Sequence, residues 1–407
     1  MTRERACTVM LAAVVVLLVC GILTLWIPGA WAFGLFQAGA FLLGIAWIAA
    51  DALWPDTRRL SPALLPLAGV VTWPLLQLAA HRTVYRLQTW NAFWMWAVNF
   101  LLFFLASQLT AHERQRRRFV LALLWFGFVL AGVSTLQMFT STGKIFWLFP
   151  SGYTDFVLGP FVNRNQYSAF IELTFPIAFY FAFVSKKHRL GYAAVAAGML
   201  ASVIASASRA GTVLVFAEVL IMPLLAVRMH VISGKTARTV TLTLLLLGVT
   251  GCLVVGFGSV WQRFLVENPA FLRSEVTLSA AHMLRDRPGM GFGLGTWTSA
   301  YPQYARFDPG AVINQAHNDW LQWGVEGGVP FLALMLVFAA LLLRPALHSL
   351  WGIGVLFVLI HCLVDYPLQQ RPAFAALFFA VCGAVAADRF SIPQKRHSTR
   401  VQRPGVV

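Results

Sequence analysis

The side chains best suited to chemistry in this 407-residue sequence are cations that lie between its hydrophobic segments. Most of them are arginines, and arginine holds phosphate oxygens through two parallel hydrogen bonds while keeping its charge. A single arginine beside a membrane can equally contact a lipid headgroup, whereas a cluster of arginines favours an anionic ligand. The cluster consists of Lys144, Arg164, Arg209, Arg263, Arg273, Arg285, Arg287 and Arg306.

A helix predicted from Asn268 to Asp286 separates two of these arginines onto different faces. Asn followed by Pro is a common helix start, and Pro288 with the glycines after it ends the helix. The apolar face of this helix comprises Val276, Ala280, Met283 and Leu284. Arg273 points almost the same way, whereas Arg285 lies on the other side. Because an arginine on a packed face needs an anionic partner, the pattern singles out Arg273.

His317 begins the sequence HNDWLQWGVEGGVPFLALML, which joins a polar segment to a hydrophobic one. A histidine titrates near neutral pH and can accept a proton from a hydroxyl group. Taken alone, His317 fits a hydrogen-bonded interfacial residue without chemistry, but beside the arginines a catalytic base is favoured. Helical spacing predicts that Leu321, Gly324 and Gly328 share its face, where the two glycines would let a neighbouring helix approach closely.

Three acidic residues lie in or beside hydrophobic segments. Glu172 and Glu218 are interpreted as structural pairs with arginines or with each other, because ionisable groups in a membrane usually face the bundle interior. Asp365 is predicted to lie in a turn, where it positions an arginine or binds a sugar hydroxyl. The carboxylates and the five cysteines show no metal-ligand spacing, so neither a metal nor a cofactor is expected.

The composition assigns the chain to membrane proteins. Hydrophobic residues make up 59%, charged residues 11%, and the mean hydropathy is +0.71, too apolar for a soluble chain with about 25% charged residues. We therefore predict an all-α, polytopic integral membrane protein with about twelve transmembrane helices. The first is interpreted as a retained helix and not as a signal peptide. The predicted spans are 7–27, 31–50, 60–80, 90–110, 119–138, 166–184, 190–206, 210–229, 239–260, 320–343, 349–365 and 371–388.

The positive charge is distributed unequally between the two sides of these spans. With a cytoplasmic N-terminus, 20 of the 31 lysines and arginines fall on the cytoplasmic side, which is the positive-inside pattern. Orientation therefore explains most of the net charge of +16, and no nucleic-acid partner is expected. Both termini are predicted to be cytoplasmic.

Three regions are predicted along the chain. Residues 1–138 form N-terminal transmembrane helices, and 139–389 form a catalytic transmembrane region. This region contains a helical loop on the outer face, 261–319, between the ninth and tenth spans. The basic tail 390–407 is cytoplasmic. Loops as long as 261–319 are uncommon without a functional reason, so the chemistry is expected on the outer face.

From about residue 155 onward the chain resembles the O-antigen ligase and polymerase superfamily. Members of this superfamily are multi-spanning enzymes that move lipid-linked glycans on the outer face of the bacterial inner membrane. Any single motif is weak evidence, and the His-Asn pair followed by Gly328 is the most specific, but five motifs occur in the expected order. They are FVNRNQY at 161–167, SASRAG at 206–211, Arg273 with RDRPGMGFG at 285–293, AHNDWLQ at 316–322 followed by EGG at 326–328, and VDYPLQ at 364–369.

The resemblance implies an inverting, metal-independent glycosyltransferase whose donor is a glycan on undecaprenyl diphosphate. Its essential positions carry over onto Arg209, Arg273 and His317. The two arginines would hold the diphosphate, with Arg164 or Arg287 assisting, and His317 would accept the proton of the acceptor hydroxyl. Supporting roles are predicted for Asn318, Asp365 and Glu326.

Several functions remain open at the level of sequence. In an O-antigen ligase the acceptor glycan is lipid A–core, and in a polymerase it is another lipid-linked repeat unit. The segments around Asn-Arg-Asn and Val-Asp-Tyr-Pro-Leu-Gln look more like polymerase-type members. A protein O-glycosyltransferase is less favoured, since those members usually carry an additional C-terminal domain. A lipid-linked glycan flippase belongs to a different class, and the sequence shows no inverted repeat of the kind that transporters carry.

Overall fold

The part of the chain that the structure describes is a bundle of helices with one short hairpin. The computed structural model describes residues 2–55, 58, 60–154, 156–255, 258, 261, 271–307, 310, 312–369 and 372–388. The helices are α1 (Arg3–Leu23), α2 (Ala30–Leu53), α3 (Leu64–Ala79), α4 (Arg86–Leu109), α5 (Glu113–Thr140), α6 (Arg164–Val184), α7 (Arg189–Ala205), α8 (Arg209–Arg228), α9 (Gly234–Val255), α10 (Phe271–Asp286), α11 (Trp297–Ala300), α12 (Asp319–Ser349), α13 (Gly354–His361) and α14 (Pro372–Asp388). The hairpin pairs β1 (Lys144–Ile145) with β2 (Phe149–Pro150).

Each predicted span overlaps a described helix, but these helices differ in length. Eight are long and apolar enough to cross a membrane, namely α1, α2, α4, α5, α6, α8, α9 and α12. Three further apolar helices, α3, α7 and α14, have only 16 or 17 residues. The protein is therefore an all-helical integral membrane protein.

The prediction of a spanning helix at 349–365 is wrong in its extent. The segment contains only α13, which has eight residues. Leu350 takes a positive φ of 53°, and a turn follows it before the helix begins. A second turn follows His361, so this part of the chain is a short helix between two turns. Its second turn carries Asp365.

Helix α6 forms the centre of the bundle. Of its most apolar 18-residue window, 89% is buried, against 17% for α2 at the periphery. Five of the described helices pack against α6, namely α5, α7, α8, α9 and α13. A polar side chain at the first turn of α6 therefore lies where several elements meet.

The buried acidic residues are paired differently from the prediction. Glu172 on α6 pairs with His361 at the end of α13, and the Nδ1 atom lies 2.9 and 3.0 Å from the two carboxylate oxygens. Both side chains are fully buried, so the expected pairing of Glu172 with an arginine or with Glu218 does not occur. Within the described part of the chain, neither carboxylate oxygen of Glu218 has a hydrogen-bond partner.

Helix α10 has the predicted apolar face and the predicted end at Asp286. Val276, Ala280 and Met283 are fully buried, and the helix packs against α12. The predicted start at Asn268 lies outside the described residues. The packing on α12 orients the first turn of α10, which carries Arg273.

A glycine-rich loop, residues 287–296 between α10 and α11, is hydrogen-bonded to α12 and α3. Glu326 on α12 accepts hydrogen bonds from the backbone N–H groups of Gly295, at 2.8 Å, and Trp297, at 3.0 Å. From α3, the Gln77 side chain donates to the Met290 carbonyl oxygen at 2.6 Å and accepts from the Leu294 N–H at 3.0 Å. These contacts satisfy backbone groups that the loop would otherwise leave unpaired.

Gly328 interrupts α12 and does not serve the predicted close approach of two helices. Its φ of 75° is positive, and a Cβ atom there would lie 2.4 Å from the Gly289 carbonyl oxygen. The following N–H, of Val329, donates to the Pro288 carbonyl oxygen at 2.8 Å. Glycine is therefore required because α12 breaks where the glycine-rich loop touches it.

Candidate functional site

Asp365 is the anionic centre of the site. Its side chain is 2% exposed, and its Oδ2 atom accepts a hydrogen bond from Arg273 at 3.4 Å and another from Asn165. The Oδ1 atom accepts from the N–H of Tyr366 at 2.8 Å. Arg273 also donates to the Val364 carbonyl oxygen at 3.1 Å. The arginine on the packed face of α10 therefore meets the anionic partner that its position requires.

His317 lies just before α12 and not on its helical face. The N-cap is Asn318, whose Oδ1 atom accepts from the Leu321 N–H at 2.9 Å. Its amide nitrogen donates to the Leu363 carbonyl oxygen at 2.8 Å. The prediction that His317 shares a helical face with Leu321 is wrong, because the cap ends the helix first. His317 instead has a positive φ of 54°, a conformation that costs roughly 1–3 kcal/mol and is held by its surroundings.

The start of α12 is tied to the turn that carries Asp365. The Asp319 N–H donates to the carbonyl oxygens of Cys362, at 2.9 Å, and Asp365, at 3.2 Å. The Asp319 carboxylate accepts from the Leu368 N–H at 3.0 Å. The ring of His317 packs edge-to-face on Tyr366, with 4.8 Å between centroids. These contacts place the imidazole beside Asp365 and Arg273.

Burial and nearby charges set the proton affinity of His317. Burial lowers the pKa of the imidazole, the Asp365 carboxylate raises it, and the Arg273 guanidinium lowers it further, with a net decrease. The Nδ1 atom is buried and has no hydrogen-bond partner among the described residues. A lowered pKa keeps the imidazole neutral near pH 7, which is the form able to accept a proton.

Arg209 and Arg164 each begin a helix near Asp365. Arg209 follows Ser208, the N-cap of α8, and the Ser208 hydroxyl donates to Asn165 at 2.9 Å. Arg164 is the first residue of α6, and its guanidinium lies 4.6 Å from the centroid of the Phe156 ring. Helix N-termini favour anions, and here two of them carry arginines at their first positions. The arrangement suits a ligand with several negative charges.

A comparison with known families assigns the region that contains this site. Residues 194–336 match the family model described as O-Antigen ligase. This region belongs to the O-antigen ligase family. The match includes Arg209, Arg273 and His317, and it indicates ligase- or polymerase-type activity in polysaccharide biosynthesis. No curated protein matches the chain.

Two predicted site residues of the O-antigen ligase region lie apart from the cluster. Arg287 follows Arg273 by fourteen residues, about 21 Å along a helix, and its guanidinium lies 4.5 Å from the Phe292 ring centroid. The prediction that Arg287 helps Arg273 to hold one diphosphate does not fit this separation. Glu326 lies on α12 and binds the backbone of Gly295 and Trp297, so it supports the site only indirectly, through the glycine-rich loop.

Three residues of the site had no predicted role. Asn165, Ser208 and Tyr366 all contact residues of the O-antigen ligase site. In the sequence, the sign that could have identified them is that they lie in the polar motifs FVNRNQY, SASRAG and VDYPLQ. Within the described ranges, no three His, Cys, Asp or Glu side chains are placed to hold a metal ion.

Proposed function

We propose that the protein is an inverting, metal-independent glycosyltransferase that moves a glycan from undecaprenyl diphosphate to an acceptor sugar hydroxyl. The observation that carries this proposal is the position of Arg273, which is bound to Asp365 beside His317. Asn165 and Ser208 connect the same carboxylate to the first turn of α8, where Arg209 lies. His317, the ion pair of Arg273 with Asp365, and the helix start that carries Arg209 are thus close together.

The proposed reaction needs charge stabilisation and one proton transfer. The acceptor hydroxyl oxygen attacks the anomeric carbon as the bond between that carbon and the diphosphate oxygen breaks. Arg209 and Arg273, assisted by Arg164, stabilise the negative charge that grows on the leaving diphosphate. His317 accepts the proton of the hydroxyl group. Attack opposite the leaving group inverts the anomeric configuration.

The proposed location is the bacterial inner membrane, with the site on the periplasmic face and both termini in the cytoplasm. The positive-inside distribution of lysine and arginine supports this orientation. The partners would be the lipid-linked donor, an acceptor glycan and the surrounding lipids. In the ligase form of the proposal the acceptor is lipid A–core, and the product is lipopolysaccharide.

A polymerase with a second lipid-linked repeat unit as acceptor is the other candidate. One observation favours it: the two segments that resemble polymerase-type members meet at the site, where Asn165 donates to Asp365. Incubating membranes with each acceptor separates the candidates. Transfer onto lipid A–core supports the ligase, and elongation of the lipid-linked chain supports the polymerase.

Replacing His317 with Ala tests the proposed function against a flippase. We expect His317→Ala to abolish glycan transfer in cells that lack the native gene, while undecaprenyl diphosphate still binds the purified protein. The matched control is His282→Ala, an exposed histidine on α10, which should retain transfer. A flippase would keep glycan export in the His317→Ala variant. Full glycan transfer by the His317→Ala variant would contradict the proposed enzymatic function.

Chelation tests the metal independence of the proposed reaction. The guanidinium groups of Arg209 and Arg273 take the part that a metal ion plays in other transfers from diphosphates. Transfer by the purified protein should therefore persist in excess EDTA at its original rate. Loss of transfer that returns when magnesium or manganese is added would contradict this part of the proposal.

A further inference from the structure

Asn165 connects two structural elements that carry the proposed diphosphate ligands. It is the second residue of α6, and its own N–H is capped by the Asn163 side chain at 2.8 Å. Its amide oxygen accepts a hydrogen bond from Ser208 at 2.9 Å, and its amide nitrogen donates to Asp365. Ser208 precedes Arg209, and Asp365 binds Arg273. One amide therefore links the two arginine positions.

The chemistry of its partners fixes the direction of every hydrogen bond through Asn165. The carboxylate of Asp365 only accepts, so the NH₂ group of Asn165 must face it. The Ser208 oxygen accepts the Gly211 N–H at 3.2 Å, which leaves the hydroxyl proton for the Asn165 amide oxygen. A continuous chain therefore runs from the first turn of α8 through Ser208 and Asn165 to Asp365 and Arg273.

Close packing makes the first turns of α6 and α8 a single unit. A Cβ atom at Gly211 would lie 2.3 Å from the Ser168 Cβ atom, so the two backbones are already in near contact. The hydroxyl groups of Ser168 and Ser206 are 3.2 Å apart. Asn165 extends from this unit to Asp365, which lies on the turn after α13.

We propose that Asn165 is a positioning residue that sets the distance between Arg209 and Arg273. The inference rests on the proposed function, in which both guanidinium groups contact one diphosphate. Asparagine suits the position because it offers an acceptor to Ser208 and a donor to Asp365 at the same time. Leucine offers neither, and aspartate sets a second carboxylate against Asp365.

The test compares three variants and one control variant of the full chain in lipid nanodiscs, with the lipid-linked glycan of its own host as donor. We expect Asn165→Leu to lower kcat/KM by roughly 10- to 100-fold, because misplacement of about 1 Å costs that much. The loss should appear mainly in kcat, because the leaving-group charge develops in the transition state. Thr174→Val is the matched control, since this buried hydroxyl of α6 donates to carbonyl oxygens of its own helix.

A second readout comes from exchanging the hydrogen-bond donor and acceptor between positions 165 and 365. Asn165→Asp should lower kcat/KM and move the acid limb of the pH profile upward, because its new charge adds to that of Asp365 near His317. Arg273 and Tyr366 also face this imidazole, and neither is changed. The double variant Asn165→Asp/Asp365→Asn restores one donor and one acceptor, so it should recover part of the activity that Asn165→Asp loses.

Failure of this inference is distinguishable from failure of the proposed function. If His317→Ala and Arg273→Ala abolish transfer while Asn165→Leu keeps kcat/KM within about twofold of the parent protein, only the positioning role is rejected. A double variant no more active than Asn165→Asp rejects it as well. If His317→Ala and Arg273→Ala both retain transfer, the proposed function itself is rejected.

Discussion

At the scale of single residues, the site depends on how Asp365 divides its two oxygens. Oδ1 is bound by the N–H of Tyr366, and Oδ2 is shared by Arg273 and Asn165. The two carboxylate oxygens therefore accept hydrogen bonds from three donors, of which only Arg273 carries a positive charge. Its remaining influence acts on the imidazole of His317, whose pKa it raises against the lowering effect of burial. Burial of Tyr366 and its closeness to Asp365 raise the pKa of this phenol to about 12, so it stays protonated beside the imidazole.

The pH dependence of transfer follows from these signs. Protonated His317 cannot accept a proton, so kcat/KM should fall on the acid side, at a pH below the ordinary pKa of histidine, about 6.5. Asp365→Asn removes the charge that raises the pKa of His317, and the acid limb should move to lower pH. The same variant should lose roughly 10- to 100-fold in kcat/KM, because Arg273 is no longer held in place. Measuring kcat/KM from pH 4 to pH 9 (a range of about five units around this value) tests both effects.

The matched control for this profile is Asp286→Asn. Asp286 ends α10 and accepts a hydrogen bond from the Tyr304 hydroxyl at 2.8 Å, about 20 Å along the helix from Arg273. Its replacement should leave the acid limb in place. A limb that moves to higher pH in Asp365→Asn would contradict the assignment of His317 as the base.

At the scale of elements, α10 and α12 place Arg273 and His317 through contacts far from either residue. Helix α10 rests on α12, and the glycine-rich loop is fastened to α12 through Glu326. The break at Gly328 lets the backbone of this loop touch α12 directly. A disturbance at Gly328 should therefore reach the site through the packing of α10.

Replacing Gly328 tests this arrangement. Gly328→Ala requires a positive φ of a residue with a Cβ atom and sets that atom 2.4 Å from a backbone oxygen. We expect the variant to be destabilised by about 1–3 kcal/mol and to have a lower Tm in detergent. At Gly324, an added Cβ would meet its nearest neighbours at 3.5 Å, an ordinary contact, so Gly324→Ala is the control. Equal melting temperatures for the two variants would contradict the account.

The sequence predicts some of these elements and not others, for physical reasons. Long apolar runs require helices in a membrane, and the periodicity of α10 identified its buried face and Arg273. The helical spacing that placed His317 on one face with Leu321 gave a wrong prediction, because Asn318 caps α12 one residue after His317. The periodicity of apolar residues identifies the buried face inside a helix, but it does not indicate the residue at which the helix is capped. The links from Asn165 to Ser208 and Asp365 join residues up to 200 positions apart, which no local pattern reports.

At the scale of the whole molecule, the bundle is organised around α6. Its first turn holds Asn165 at the site, and its middle holds Glu172 against His361 of α13. Asp365 lies four residues after His361, so a single turn of the chain joins the buried Glu172–His361 pair to the site. The pair therefore fixes the position of that turn relative to α6.

Breaking the buried pair should destabilise the protein. Glu172→Leu leaves His361 buried without its partner, which costs about 3–5 kcal/mol for pairs of this kind. Glu172→Gln keeps an oxygen that can accept from Nδ1, so its effect should be smaller. Thermal unfolding in detergent, with Thr174→Val as the control on the same helix, measures the difference. A leucine variant as stable as the glutamine variant would show that the pair contributes little.

The central claim is that Arg209 and Arg273 hold one diphosphate beside His317. The most direct measurement is a structure of the protein in lipid nanodiscs with undecaprenyl diphosphate bound. We expect diphosphate oxygens within hydrogen-bond distance of both guanidinium groups, with the terminal phosphate, which carries the sugar in the donor, on the side of the imidazole. A diphosphate bound elsewhere, for example at Arg287 or at the opposite end of the bundle, would contradict the claim.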